Sequence, residues 1–466
     1  MKFKLFGLAA AALMIGLLFQ ASAPAQAAHK SHAPGNPMIF VHGGSGSGAQ
    51  WESQSQRFES NGYPANYVNV LEYDSASLFN LITHQVNTPL LLQIWGNLDQ
   101  LIDSTLAQTG ATQVDLLGHS LGTLVLQGYL TSSPTRAAKV GHYVNIDGQG
   151  APAPPGGVPT LALVAGLGLG SPITGATNVT IPNQTHVECA TSPESFAVIY
   201  KFFTGKDPAT SEIIPEFPLF IKLSGRAVFF PSNAGVPDGT VQVWPVDGKT
   251  GMRLTKKPVA TFPLSGDGSW GPVYAIGGLH YEFAVVRAGQ FTHHFYYEPF
   301  LRDDHLIRLQ TEPPNTGLGL ITDMSPNQTD LIIIRYKELW GDQGANNDVL
   351  TVDGSNVISP ATHPLARFIN GTFVFDKGSD KVSHLGVVVP PFNLITFLTA
   401  VDLYIAAATP PNATVSSVLT PRDAGGKTDV INVPNWASTT DRVTLQFRDF
   451  SQDINSWLDY VKSLLR

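Results

Sequence analysis

Ser120 lies at the centre of Gly118-His119-Ser120-Leu121-Gly122. A serine hydroxyl is a poor nucleophile until a base takes its proton and a third group holds that base in place. Gly-x-Ser-x-Gly is a common pentapeptide, so its surroundings decide what it means. Here it follows the apolar run Val114-Asp-Leu-Leu117 and opens a helical pattern from Leu121 to Tyr129. Strand, tight turn and helix in that order hold a serine exposed on the turn. Glycines flank it because side chains there would clash. The pattern predicts a nucleophile at Ser120.

On such an elbow the partners follow in the order serine, acid, histidine. Asp147 ends the apolar run Val140–Ile146, at a strand's C-terminal edge, where open α/β sheets keep their sites. His186 stands in the loop Asn183-Gln-Thr-His186, after the last predicted strand of this half, within reach of Ser120. His142 reads as a packed strand residue and His119 as a support for the elbow. Asp115 reads as solvent-facing or capping, and Asp207 comes too late in the chain. Acyl transfer also needs two convergent N–H donors for the developing oxyanion. Leu121, after the serine, supplies one. Gly44 is the candidate for the other, in His42-Gly-Gly-Ser-Gly-Ser-Gly48 after the strand run Met38–Val41. This loop lacks the Gly-Lys-Ser/Thr of a phosphate loop and the G-x-G-x-x-G of a dinucleotide loop, so no nucleotide is expected.

These residues need a scaffold, and the chain divides into two kinds of pattern. From Pro37 to about Gly205, short apolar runs alternate with helical spacing, which implies a mainly parallel sheet covered on both faces. After about Pro208 short strands separated by Asp-Gly turns predict an all-β sandwich or barrel. Ile454, Trp457, Leu458, Val461 and Leu465 share one helical face and predict a terminal helix. Residues 1–27 read as a signal peptide: Lys2 and Lys4, an apolar run from Leu5 to Phe19, then Ala25-Gln-Ala27. The expected organisation is therefore signal peptide 1–27, α/β domain 28–207 and all-β domain 208–466. The product is expected to be secreted, or held in a periplasm.

Composition removes other classes. The 466 residues carry 28 Lys and Arg against 36 Asp and Glu, a net charge of −8, which weighs against nucleic-acid binding. A single cysteine, Cys189, permits neither an intramolecular disulfide nor a cysteine zinc cage, and it sits in no activating motif. The 13 histidines show no metal-binding spacing, and His293-His294 point to opposite faces of a strand. Neither a metal nor a cofactor is expected.

Several longer stretches resemble the secreted α/β-hydrolase lipases typified by that of Archaeoglobus fulgidus, which end in a β-barrel-like lipid-binding domain. They include Val41-His-Gly, Gln50-Trp-Glu-Ser-Gln-Ser-Gln-Arg-Phe58, Gly118-His-Ser-Leu-Gly-Thr123, Ser133-Pro-Thr-Arg-Ala-Ala-Lys-Val140 and Thr185-His186. In the second half Leu301-Arg-Asp-Asp304 and Ile333-Ile-Arg-Tyr-Lys-Glu338 continue the likeness. The resemblance implies Ser120, Asp147 and His186 as the triad, and a lipid-binding role for the β half. Two departures stand out. Gly44 replaces a larger residue, and the lid-like insertion, about 75–95, is short though apolar (Leu78, Phe79, Leu81, Ile82, Val86, Leu90 to Leu92). It is expected to cover the site or to pack as ordinary core.

The resulting expectation is a hydrolase of lipid esters such as acylglycerols, with lipid aggregates as partners of the β half. The alternatives are a depolymerase of aliphatic polyesters and a non-catalytic surface-binding protein on a hydrolase scaffold.

Overall fold

The inner apolar runs of the first half become strands buried on both faces, so consecutive side chains enter different cores. In a computed structural model of the chain, which describes residues 33–450 apart from 81, 82, 84 and 315, six parallel strands form one sheet. They are β1 (Met38–Val41), β2 (Val68–Leu71), β5 (Val114–His119), β6 (Val140–Ile146), β7 (Thr160–Ala165) and β8 (Thr177–Ile181), in the order β2-β1-β5-β6-β7-β8. The short strands β3 (Phe79–Asn80) and β4 (Gln85–Val86) pair apart from it. Met38, Phe40 and Leu117 face one core with Phe58 of α1 (Glu52–Ser60) and Phe196 and Phe203 of α7 (Pro193–Thr204). Ile39, Val41 and Leu116 face the other, packed on Leu98 and Ile102 of α3 (Thr88–Thr109) and Val125 and Tyr129 of α4 (Leu121–Ser132). Gly110, at φ 73°, ends α3.

Asp115 departs from the expectation of a solvent-facing or capping carboxylate: it is wholly buried. The β5–β6 register sets it opposite His142, whose Nδ1 lies 2.9 Å from its Oδ1, and Asn36 Nδ2 donates to the same oxygen at 3.0 Å. Its bond raises the pKa of His142 against the effect of burial.

The second half consists of β-sheets. One has eight strands, in the order β11-β10-β13-β14-β23-β16-β19-β20. These are β10 (Thr240–Val246), β11 (Ala260–Pro263), β13 (His280–Val286), β14 (Thr292–Tyr297), β16 (Leu331–Arg335), β19 (Gly371–Phe375), β20 (Leu398–Asp402) and β23 (Asp441–Phe447). One end packs on a three-stranded sheet of β9 (Ile221–Phe229), β12 (Ser269–Ala275) and β15 (Asp304–Thr311), around Trp270, Phe283 and Phe295. The other packs on a four-stranded sheet of β17 (Val349–Val352), β18 (Ser355–Asn356), β21 (Thr414–Thr420) and β22 (Asp429–Pro434), around Ile333, Val401 and Leu445. Phe295, Tyr296, Tyr297 and Phe300 are therefore core.

The described residues from 34 to 450 pack as one compact unit. The expected signal peptide and terminal helix lie outside the described residues. Among the described residues no helix is long and apolar enough to cross a membrane.

Candidate active site

Ser120 connects β5 to α4 with φ 52° and ψ −120°, a conformation that costs on the order of 1–3 kcal/mol for a residue with a side chain. Its surroundings impose it. The Ser120 N–H donates to the Ile146 carbonyl at 3.1 Å, and its own carbonyl accepts from Thr123 N–H and Oγ1 at 3.0 and 2.6 Å. A Cβ on Gly122 would lie 2.4 Å from the Val41 carbonyl oxygen, and one on Gly118 2.9 Å from that of Gly122. Both glycines let the helix seat against β1 and β5.

Asp147 follows β6 at φ 44° and is buried. Its Oδ1 accepts from the N–H groups of Ala165 and Gly170 at 2.9 and 2.8 Å, and its Oδ2 from Leu169 N–H at 2.8 Å. The same Oδ2 lies 2.6 Å from His186 Nδ1. Burial alone would raise the carboxyl pKa; the bonds from His186, Leu169 and Ala165 outweigh it and hold it below the usual carboxylate range. A carboxylate so held fixes the proton of His186 on Nδ1 and leaves Nε2 with a lone pair.

Ser120 and His186 line one cavity of about 50 Å³, together with Gly43, Gly44, Gln50 and His119. Within it His186 Nε2 is buried and has no hydrogen-bond partner among the described residues, so the Ser120 hydroxyl shares the cavity without bonding to it. His119 supports both loops. Its Nδ1 accepts from Gln50 Nε2 at 2.7 Å and its Nε2–H donates to the His186 carbonyl at 2.9 Å. Burial and the neighbouring His186 push its pKa down to about 3, so it stays neutral. Leu121 opens α4, and its N–H is among those a helix leaves without an internal acceptor. Gly44 lines the cavity, and a Cβ there would meet nothing within 4 Å.

Residues 35–134 match the family model for class 2 lipases, and residues 220–314 that for the lipase C-terminal domain. Over those two stretches the chain is similar to lipases. Residues 317–451 match a further model described as a C-terminal domain. No curated protein matches the sequence. Among solved structures, Aspergillus fumigatus lipase B is 14% identical, with 40% of this chain and 56% of that one covered and a TM-score of 0.30. A predicted CIB-like hydrolase from Thermoplasma acidophilum is also 14% identical, covering 39% of this chain and 90% of that one at a TM-score of 0.28.

The walls of this pocket include none of residues 75–95, the insertion expected to cover the site or to pack as ordinary core. They come instead from the β half: Phe230, Gln310, Ile334, Tyr336, Phe397 and Leu398. Of this insertion Leu78 and Ile94 are buried in the core beside Leu98, whereas Leu92 is exposed; Leu81 and Ile82 lie outside the described residues. Phe397 stacks on His186 at 6.1 Å between ring centroids, and Phe368 lies tilted at 5.7 Å. Both phenylalanines have positive φ, 69° and 52°, a strain found where surrounding structure holds a residue in place. A second cavity, of about 60 Å³, shares the walls Phe230, Gln310, Ile334 and Leu398 with the first and is lined further by Phe295 and Phe373 as well as by Arg308 and Glu312. Reading the sequence missed all of these residues, because nothing in a β-strand pattern says which loop meets another half of the chain. Cys189 is buried 3.7 Å from Ser195 Oγ, and burial pushes its thiol pKa up, away from nucleophilic use.

Proposed function

We propose that this protein is a carboxylester hydrolase, exported from the cell, that cleaves lipid esters such as acylglycerols through an acyl-enzyme. What carries this reading is an elbow serine in the same cavity as an imidazole whose far nitrogen is bound to a buried carboxylate. Ser120 Oγ attacks the ester carbonyl while His186 Nε2 takes its proton. The Leu121 and Gly44 N–H groups stabilise the oxyanion, and Asp147 stabilises the imidazolium that forms. His186 then returns the proton to the leaving alcohol, and a water repeats the sequence to release the acid. The acyl chain would run towards the second cavity, which shares four walls with the first. Enclosing walls favour such a chain over a segment of solid polyester.

Nitrophenyl esters from acetate to palmitate, assayed below and above micelle formation, test this. Longer acyl chains are expected to be preferred, and Ser120→Ala to lose at least about a thousandfold in kcat while remaining folded. A fluorophosphonate probe is expected to label Ser120. Undiminished hydrolysis by Ser120→Ala would overturn the assignment.

A further inference from the structure

His186 sits on a loop of the first half, yet a side chain of the β half holds that loop. The Glu338 carboxylate, wholly buried after β16, accepts three hydrogen bonds that bracket the histidine. Thr185 Oγ1 donates to Oε2 at 2.6 Å, Val187 N–H to Oε1 at 2.6 Å, and Glu188 N–H to Oε2 at 3.0 Å. The residues on either side of His186 are thus tied to one rigid group. Meanwhile His119 holds its carbonyl and Asp147 its Nδ1.

Glu338 is itself anchored. Arg422 donates to its carbonyl at 2.7 Å and to Asp348 Oδ2 at 2.7 Å, and its guanidinium lies over the Trp340 ring at 3.7 Å. The loop is tied a second time through Glu188, whose carboxylate meets Lys337 at 2.9 Å and Arg422 at 2.8 Å. Lys337 also pairs with Asp423. Lys337, Glu338, Arg422 and Asp423 all belong to the β half, whereas Thr185, Val187 and Glu188 belong to the first.

We infer that Glu338 is a positioning residue for His186: by gathering the donors of Thr185, Val187 and Glu188 it fixes where the imidazole Nε2 stands relative to Ser120. The inference rests on the proposed role of His186 as base. A displacement of the order of 1 Å at a reacting group costs about a hundredfold in rate. Loss of Glu338 therefore acts on the chemical step and not on substrate binding in the apolar cavity. It also makes the β half part of the catalytic centre, needed even for a short soluble ester that never reaches the second cavity.

The test uses the full chain with nitrophenyl butyrate and a fluorophosphonate probe. Glu338→Ala is expected to lower kcat about a hundredfold with KM within twofold of wild type, and to slow labelling of Ser120 by the same factor. Glu338→Gln, which keeps one acceptor oxygen, is expected to restore at least about tenfold of that loss. Thr185→Val, which removes one donor and leaves two, decides the matter if Glu338→Ala does not fold. A kcat reduced severalfold at unchanged KM supports the inference, and an unchanged kcat overturns it. Wild-type kcat and labelling in folded Glu338→Ala would also overturn it. A wild-type protein that neither hydrolyses the ester nor labels at Ser120 would instead refute the reading of the site itself.

Discussion

Gly168 and Gly170 are where a single methyl group should reach the proposed acid. A Cβ on Gly168 would stand 2.2 Å from Asp147 Oδ2, the oxygen bound to His186, and one on Gly170 would stand 2.5 Å from Oδ1. Gly168→Ala can be accommodated only by moving that carboxylate or its loop. We expect kcat on nitrophenyl butyrate to fall about a hundredfold, with KM and melting temperature changed little, since misdirecting the imidazole is costly while the loop is exposed. Wild-type kcat would show that the loop gives way and leaves the carboxylate on His186. Ser120, Asp147 and His186 could be named as candidates from the sequence because each ends or follows a strand run in an order the elbow dictates, and the structure brings them together. The cradle of N–H groups around Asp147 was not. Gly166-Leu-Gly-Leu-Gly170 reads as an unremarkable turn, and backbone donors leave no trace in side-chain pattern. Asp115 was misread for a related reason: its pairing with His142 depends on strand register, which a local window does not contain.

At the scale of elements, patterns that declare their own burial were readable and those that borrow it were not. Helix α3 shows apolar residues at helical spacing and a terminal Gly110. Helix α1, Glu52–Ser60, is polar on nearly every side and yet buried, because its partners are polar groups elsewhere in the chain. Gln54 Nε2 donates to the carbonyls of Ala190 and Ser192, Gln56 Nε2 to Asp304 Oδ2, and Arg57 Nε to the Ser211 carbonyl. The segment from Asp376 to Phe397 likewise mixes roles. Val389 and Phe392 are buried against Phe373 and Phe375, while Val382, Leu385, Val387, Val388 and Leu394 are exposed, the last by 81%. Arg367 NH2 donates to the carbonyls of Phe392, Ile395 and Leu398, tying the segment's end beside the pocket. Exposed apolar residues on a segment whose end, Phe397, lines the pocket suit an oil–water interface. The double variant Val387→Asp, Leu394→Asp is expected to lose about tenfold or more on triglyceride emulsion, with nitrophenyl butyrate hydrolysis unchanged. Equal loss on both substrates would place the segment's role in chemistry or folding instead.

Across the whole molecule, the two halves meet through buried charge, and that sets how stability depends on pH. The β half also reaches the loop that carries Gly44: Asn233 Nδ2 donates to the Gly46 carbonyl at 2.7 Å, and Arg308 pairs with Glu72, which accepts from Gly48 N–H at 3.1 Å. Such contacts bury carboxylates at a cost. Burial pushes Glu59 up to about 7 despite Arg302, Glu298 up to about 7 with help from Asp429, and Asp330 up to about 7 despite its bond from Gln328. Each binds its proton more tightly folded than unfolded, so its contribution is full below about pH 4.5 and is lost as pH rises towards 7. Asp147 and Glu282 act in the opposite sense. Burial would raise Glu282, but bonds from Arg253 and His294 pull it down to about 2, so its contribution is present above about pH 4.5 and lost as pH falls towards 2. Buried His119 and His363, both held down to about 3, oppose these carboxylates up to about pH 6.5, because each takes up a proton on unfolding below that pH. Melting temperature should therefore be highest near about pH 6.5 and decline towards pH 8. Glu298→Gln, which keeps an acceptor for the Arg448 N–H at 2.6 Å, should remove that group's downward share of the pH dependence, at most about 1.4 kcal/mol per pH unit between pH 5 and 7. Melting curves at half-unit pH intervals for both proteins would measure it. A wild-type melting temperature that rises from about pH 6.5 to 8 would mean that these carboxylates are ionised in the folded protein, their burial offset by the arginines that face them.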